Sequence, residues 1–396
     1  MNADLARLIA SHICLQGCMA GLRMAAPLLA LRQGYGAAAV GVLLALFALT
    51  QVFLALPAGR YADQHGLKRP VGFSVLAAML GAGLAAAMPV FPVLCFSALM
   101  TGGATGAASI ALQRHVGRAA EHPTQLKQVF SWLAIGPAVS NFLGPFCAGL
   151  MIDHAGAAAG DLAGFRAAFA LMAVLPLATL LLVRHAREMP PVVVPQQGGR
   201  ANAWDLLREP MFRRLLLVNW ILASCWDVHT FVVPILGHER GLSASVIGSI
   251  LGAFAVAAAA IRVVLPLVAA QLREWAVIAS AMAATAALFA IYPLLVSALA
   301  MAACSVLLGL ALGSVQPMVM STLHQITPEA RHGEALGLRL MAINASSVLM
   351  PMLFGTAGAL IGVAGVFWTV GGLVGAGTRW AWQLRADPHR ADRTTG

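Results

Sequence analysis

The stretch "GRYADQHGLKRP", residues 59–70, sets Arg60, Asp63, His65, Lys68 and Arg69 between two long apolar runs. The chain around it is 60% hydrophobic and only 10% charged over 396 residues, with a mean hydropathy of +0.82. Soluble domains hold about 45–50% apolar and about 25% charged residues, so this composition excludes one. Each crossing of the ~30 Å hydrocarbon layer takes about 20 apolar residues as helix, because lipid offers backbone groups no partners. Barrel strands would alternate apolar and polar residues, and the runs here are unbroken. The chain reads as an all-α polytopic membrane protein.

Working outward from the charged stretch gives twelve candidate spans: 8–31, 39–59, 71–90, 92–113, 128–152, 165–183, 215–236, 245–268, 275–293, 296–320, 335–359 and 363–382. An even number puts both termini on one side. Of the 25 Lys and Arg residues, the odd connections take only Arg32 and Arg240, with Arg166 at the outer end of the span 165–183, and the spans otherwise take Arg23, Arg262, Arg339 and, near the cytoplasmic end of the last, Arg379. The rest fall in the even connections and the tails, which the positive-inside rule places in the cytoplasm. Residues 59–70 and both termini are therefore expected on the cytoplasmic side of a cell inner membrane. The net charge of +10 is read as orientation signal and contact with anionic lipid headgroups, with no nucleic-acid site in it. The first apolar run lacks the short core and cleavage site of a secretory signal, so it is expected to stay as a span. Six cysteines lie in or at the ends of spans without CxxC or zinc-ligand spacing. They read as buried thiols, and neither a metal nor a cofactor is expected.

The longest hydrophilic connection, 185–214, divides the chain into an N-terminal six-helix half (1–184), a cytoplasmic linker (185–214), a C-terminal six-helix half (215–384) and a cytoplasmic tail (385–396). Landmarks recur between the halves. Pro27, Gly34 and Gly41 match Pro234, Gly241 and Gly248 at an offset of 207 residues, as Gly102 and Gly106 match Gly309 and Gly313. Pro145, Gly149 and Gly156 match Pro351, Gly355 and Gly362 at 206. Three regions sharing one register point to duplication, and six spans per repeat make the two halves parallel.

Within 59–70, the residue types carry their own chemistry. Gly59 lets one helix end approach a neighbouring backbone, and Gly66 permits a turn. Asp63 can accept hydrogen bonds or face a positive helix N-terminus, while Lys68 and Arg69 stay at the headgroups. Gly59, Ala62, Asp63, Gly66 and Lys68 also stand at the spacing of a known signature between the second and third spans, and the stretch resembles that of the major facilitator superfamily. Tyr61, Gln64 and Leu67 depart from it, standing for a leucine, an arginine and the first basic residue of the closing pair. The resemblance implies twelve transmembrane helices in two parallel six-helix pseudo-repeats, a secondary transporter, and a gating role in which Asp63 helps lock the halves on the cytoplasmic side. The counterpart "LPLVAAQLREW" (265–275) has no aspartate or glycine, so the lock is one-sided.

A second stretch, "SNFLGPFCAG" (140–149), is similar to the Gly-Pro motif of proton-exchanging exporters in that superfamily, through Gly144, Pro145 and Gly149. Ser140 and Ala148 stand where the motif prefers glycine. Proline removes a backbone hydrogen bond and glycine allows close contact, so the stretch is expected to bend, pack tightly and take part in gating. Ala98 occupies the place of an arginine in many such exporters, so a relay built on that arginine does not carry over.

Ionisable groups at bilayer depth are costly and mark function. Here they are Arg23, Asp227, His229, Arg262 and Arg339, with His12 nearer the surface, and Asp227 is the one carboxylate well inside a span. Arg23 follows Arg7 by sixteen residues and Asp227 follows Arg214 by thirteen, which puts both about 20–24 Å above the surface charges. The resemblance implies that the first and seventh spans face each other, so Arg23 and Asp227 can meet, either as a structural salt bridge or as a substrate and proton site. His229 titrates near neutrality as a type and can carry a proton or serve as a hydrogen-bonded structural residue. Trp226 can stack on an aromatic or cationic substrate or pack against lipid. Arg262 and Arg339 are candidates for gating, for pairing with Asp63 and Glu334, or for capture of an anionic group. Asn141, Gln316 and Asn344 can line a cavity or join helices.

These features describe a monomeric secondary transporter that exports a small organic molecule in exchange for protons, with membrane lipids as its surroundings. The alternatives are proton-coupled uptake of an organic anion, or a membrane receptor that does not transport. No P-loop accompanies the spans, which argues against direct use of ATP. No paired carboxylates or nucleophile with base lie inside the spans, so the chain is not expected to be an enzyme.

Overall fold

A computed structural model describes residues 3–120, 122–156, 161–186, 188–189, 203–242 and 244–385, giving backbone without side chains at 3, 37–38, 238, 244–245, 248 and 351–360. Residues 190–202 of the expected linker and 386–396 of the tail lie outside the described residues. Among the described residues every long element is an α-helix: α1 (Ala3–Arg32), α2 (Ala37–His65), α3 (Lys68–Ala87), α4 (Phe91–Arg118), α5 (Pro123–Leu133), α6 (Ile135–His154), α7 (Leu162–Arg184), α8 (Pro210–Glu239), α9 (Ala244–Val268), α10 (Glu274–Ile291), α11 (Ala298–Ile326) and α12 (His332–Trp382). Eleven helical segments among them are long and apolar enough to cross a membrane. The expected span at 335–359 is helical throughout its backbone within α12. Gly362, with φ 74° and ψ 167°, breaks α12 in two, a conformation that glycine adopts without a Cβ penalty.

The duplication is visible as repeated backbone geometry. α1 ends with Gln33 N–H donating to Leu29 O and Tyr35 N–H to Ala30 O, around Gly34 at φ 86°. α8 ends with Arg240 N–H donating to Leu236 O and Leu242 N–H to Gly237 O, around Gly241 at φ 70°. Each atom pair lies 207 residues from its counterpart, and both are glycine-dependent helix stops. The same offset relates two helix crossings. A Cβ at Gly102 would run into Phe47 O where α4 meets α2, and a Cβ at Gly309 would run into Phe254 O where α11 meets α9. Small residues at such crossings let helices pack by close contact where lipid supplies no hydrophobic drive.

The expected span at 128–152 lies within one apolar helical stretch, Pro123–His154, made of α5 and α6. The break falls at Ala134, between α5 and α6, and Pro145 sits inside α6 without ending it. Pro137 bears on the place of the break, since it has no N–H for the carbonyl of Leu133.

Two compact units emerge. The first comprises residues 1–203 together with Thr327–Val348, and the second Trp204–Ile326 together with Leu349–Gly396. The first has its core on Leu22, Leu43, Phe47, Ala108, Phe165 and Phe169, all nearly inaccessible. In the second, Phe367 packs edge-on against Phe289 and stacks on Tyr292 with centroids 5.1 Å apart. Large apolar side chains such as Phe53, Phe73, Leu267 and Leu299 lie 62–80% exposed, the outer surface expected of helices that face hydrocarbon.

Candidate functional site

The charged stretch folds as the end of α2, a glycine turn and the start of α3, all within the first unit. Gly66 takes φ 74° and donates its N–H to Ala62 O at 3.0 Å. That turn leaves Asp63 on the last turn of α2, facing the first turn of α12. Its Oδ1 accepts from Gly333 N–H at 2.8 Å and its Oδ2 from Glu334 N–H at 3.1 Å. These are two of the N–H groups that a helix start leaves without intrahelical partners, and the helix dipole adds to the attraction for a carboxylate. Arg114, at the end of α4, donates its Nε to the same Oδ1 at 2.6 Å and an Nη to Asp63 O at 3.3 Å. The two side chains are 2% and 9% exposed, so this is a buried, charge-assisted pair.

Helix proximity makes the clamp possible. A Cβ at Gly59 would run into Gly333 O, and one at Gly333 into Gly59 O, so neither position has room for a side chain. Around the clamp, Glu334 accepts from Arg60 Nε at 2.9 Å and from Arg331 Nε at 2.8 Å, and Arg118 pairs with Glu329. The expected pairing of Arg262 and Arg339 with Asp63 and Glu334 is thereby corrected: their arginine partners are Arg114, Arg60 and Arg331. Lys68 enters through its backbone, since Leu67 and Lys68 N–H both donate to Glu188 Oε1 at 3.1 Å and so cap α3 from beyond the end of α7. Sequence reading missed Arg114 and Glu188. Arg114 had one available signal, an arginine on the same helical run as Gly102 and Gly106.

The Gly-Pro element packs against α1. A Cβ at Gly144 would run into Gly17 O and lie 2.9 Å from Gly21 N, so α6 and α1 meet backbone to backbone. Ser140 bridges the same crossing by donating to Ile13 O at 3.1 Å. Gly149 has space beside it, with Met24 Cε 3.9 Å from the position of a Cβ. Pro145 is half-buried and Asn141 exposed.

In the second unit, α8 carries Trp226, Asp227 and His229. His229 is inaccessible, shares a hydrogen bond of 2.9 Å between its Nε2 and Ser305 Oγ, and stacks on Phe254 with centroids 4.1 Å apart. Ser305 in turn bonds Tyr292 Oη at 2.8 Å. Trp226 meets Phe254 edge-on, and Arg262 Cζ lies 5.9 Å from the Trp226 centroid, a cation–π contact. Arg262 Nε also donates to Gly313 O at 3.3 Å. Trp226, His229 and Arg262 thus belong to one polar and aromatic cluster, with Asp227, half-buried, on the same helix. Gln316 is half-buried on α11. Arg23 is exposed on α1, and Arg339 is buried on α12. Asn344 is half-buried and donates to Leu340 O. Among the described residues, no group of three or more His, Cys, Asp or Glu side chains is placed to hold a metal ion.

Comparison with known proteins bears on the whole chain. By fold it is similar to the crystal structure of the human organic anion transporter MFSD10 (TETRAN), with a TM-score of 0.77 and 15% identity over 96% of this chain and 100% of that one. It is likewise similar to a bacterial homologue of the iron transporter ferroportin in its outward-facing state, with a TM-score of 0.77 and 16% identity over 97% and 99% of the two chains. At these identities the likeness is one of fold. No curated protein sequence matches. The family model of the Major Facilitator Superfamily matches residues 8–225 and 215–396. With both halves matched and the signature aspartate seated on a helix start, this integral membrane protein belongs to the Major Facilitator Superfamily.

Proposed function

We propose that the protein is a proton-coupled secondary transporter that exports a small organic molecule by alternating access, acting as a monomer with both termini in the cytoplasm. The observation that carries this reading is the Asp63 clamp. It consists of a few directional bonds between one carboxylate, one arginine and two helix-start amides, a set that breaks and reforms as a unit. An ordinary positive-inside loop has no need to bury its aspartate or to press Gly59 against Gly333. Export is supported by the Gly-Pro element, whose close packing of α6 on α1 suits a helix pair that must seal against leak.

Asp227 is the coupling carboxylate in this reading. It takes either the charge of Arg23 or a proton as its partner, and the cycle exchanges one for the other. His229 is next in line, although its sealed setting beside Ser305 and Phe254 suits a structural role. The halves remain those of the sequence, 1–184 and 215–384, with 185–214 as the cytoplasmic linker. A second reading, uptake of an organic anion together with protons, is favoured by the number of arginines at depth, since Arg23, Arg262 and Arg339 stand against the one carboxylate of Asp227.

Proteoliposomes loaded with the pH-sensitive dye pyranine test the coupling. Adding a transported solute should move protons across the membrane, outward solute flux against inward proton flux in the first reading and both in one direction in the second. Asp227→Asn should abolish pH-driven accumulation while sparing downhill counterflow. Accumulation driven by pH alone in Asp227→Asn vesicles would remove Asp227 from the coupling role.

A further inference from the structure

Three buried arginines invite comparison. Arg114, Arg262 and Arg339 are 2%, 8% and 6% exposed. Arg114 is neutralised by Asp63 at 2.6 Å, and Arg262 donates to Gly313 O and lies over the Trp226 ring. Arg339 differs. Its Nε is buried with no hydrogen-bond partner, and among the described residues no hydrogen bond or ion pair reaches its guanidinium. A guanidinium carries five N–H donors, accepts nothing and stays charged under all ordinary conditions. Arg339 is 6% exposed with its Nε sealed and its terminal amino groups without a protein acceptor, so an anion reaching those groups is the occupant that relieves it.

The helix that carries Arg339 is held firmly. A Cβ at Gly337 would lie 2.5 Å from Ala55 O on α2, and Leu340 Cδ2 lies 3.4 Å from the Cβ position of Gly106 on α4. Gly333, Gly337 and Leu340 therefore form the face of α12 that meets α2 and α4. Arg339 projects about 120° away from that face by helical geometry, and lies about 10 Å along the axis from His332. Its neighbours in sequence, Leu336 and Leu338, are each 1% exposed, and Arg339 itself is 6% exposed. Packing fixes the helix backbone that carries the residue, and its Nε is left without a protein acceptor.

We propose that Arg339 is the anchor for the anionic group of the transported molecule, and that the substrate class is an organic carboxylate. A planar guanidinium fork matches a carboxylate through two parallel N–H···O bonds, which gives orientation as well as affinity. This rests on the transport reading and is independent of its direction.

The test uses the full chain purified in non-ionic detergent, with thermal unfolding followed in the presence of benzoate, citrate, inorganic phosphate or choline. A ligand that binds only the folded protein raises its unfolding midpoint. A carboxylate probe should raise the midpoint of the natural protein, and choline should not. Arg339→Gln should weaken carboxylate binding about tenfold or more, and Arg339→Lys should retain part of it. Arg339→Gln should also raise the midpoint without ligand, because an uncompensated buried charge has gone. A residue holding a structural ion pair would show a fall there. The proposal is overturned if Arg339→Gln lowers the ligand-free midpoint, if the carboxylate shift survives the substitution, or if no carboxylate shifts the natural protein. A shift with inorganic phosphate alone would assign the site to a phosphate or lipid headgroup and overturn the organic carboxylate. If carboxylates bind through Arg339 but pyranine-loaded vesicles show no flux, the transport reading fails and the anion site stands. If neutral or cationic solutes are carried at a rate indifferent to Arg339→Gln, transport stands and the anion site fails.

Discussion

Asp63→Asn tests whether the clamp is a gate, and its size follows from the bonds it disturbs. The asparagine keeps one acceptor oxygen, but its amide nitrogen is a donor. With the oxygen turned to Arg114 Nε and Gly333 N–H, the NH₂ group meets Glu334 N–H, donor against donor. The charge that neutralised Arg114 is gone, and Arg114 is only 2% exposed. Removing one partner of a buried ion pair costs about 3–5 kcal/mol, so the arrangement with the clamp closed should lose about 100-fold or more in population against arrangements in which it is open. Hydrogen–deuterium exchange reads this directly, because Gly333 and Glu334 amides are protected by the carboxylate itself. Their exchange should rise by a comparable factor in Asp63→Asn, and transport in proteoliposomes should slow. Equilibrium binding should change little, since a solute with equal affinity for both arrangements does not feel the shift. Unchanged exchange at Gly333 and Glu334 would refute the clamp, and a variant that binds tenfold more weakly yet cycles at normal speed would refute the gating role.

Two further substitutions address the neighbouring elements. Gly144→Leu should impair exchange or uncouple it from the proton gradient, because the side chain must displace Gly17 O and Gly21 N of α1; coupling ratio and rate in vesicles check this, and values equal to the natural protein's would reduce the Gly-Pro element to a tolerated feature of α6. Glu188→Gln should weaken the cap on Leu67 and Lys68 by about 1 kcal/mol, seen as faster amide exchange at those two residues with little change at Gly333.

What could be read from the sequence depended on how far apart the interacting residues lie. The spans were legible because each is a local apolar run, whereas Gly34 and Gly241 were legible as landmarks of the repeat, and the structure adds that each takes a positive φ at a helix stop. The duplication was legible for a related reason: Gly102 and Gly309 are held by the backbone carbonyls of Phe47 and Phe254, so losing either glycine would push two helices apart. Asp63 was legible through its glycine spacing, whereas its partners were not. Arg114 lies 51 residues away and Gly333 lies 270. An arginine at the end of a span looks the same in sequence whether it reaches for headgroups or turns inward to a carboxylate, and Arg114 was counted among the former. The joint at Ala134 was not legible because the apolar run 128–152 continues through it. Pro145 leaves α6 continuous, while Pro137 lies in its first turn, where a missing N–H costs no intrahelical bond. Charge at depth behaves in the same way. Sequence marks Arg262 and Arg339 alike, and only the folded chain separates one with a carbonyl and an indole ring from one whose buried Nε has no protein acceptor. Identical residue types at similar depth therefore have different surroundings, decided by the acceptors that the other helices bring to them.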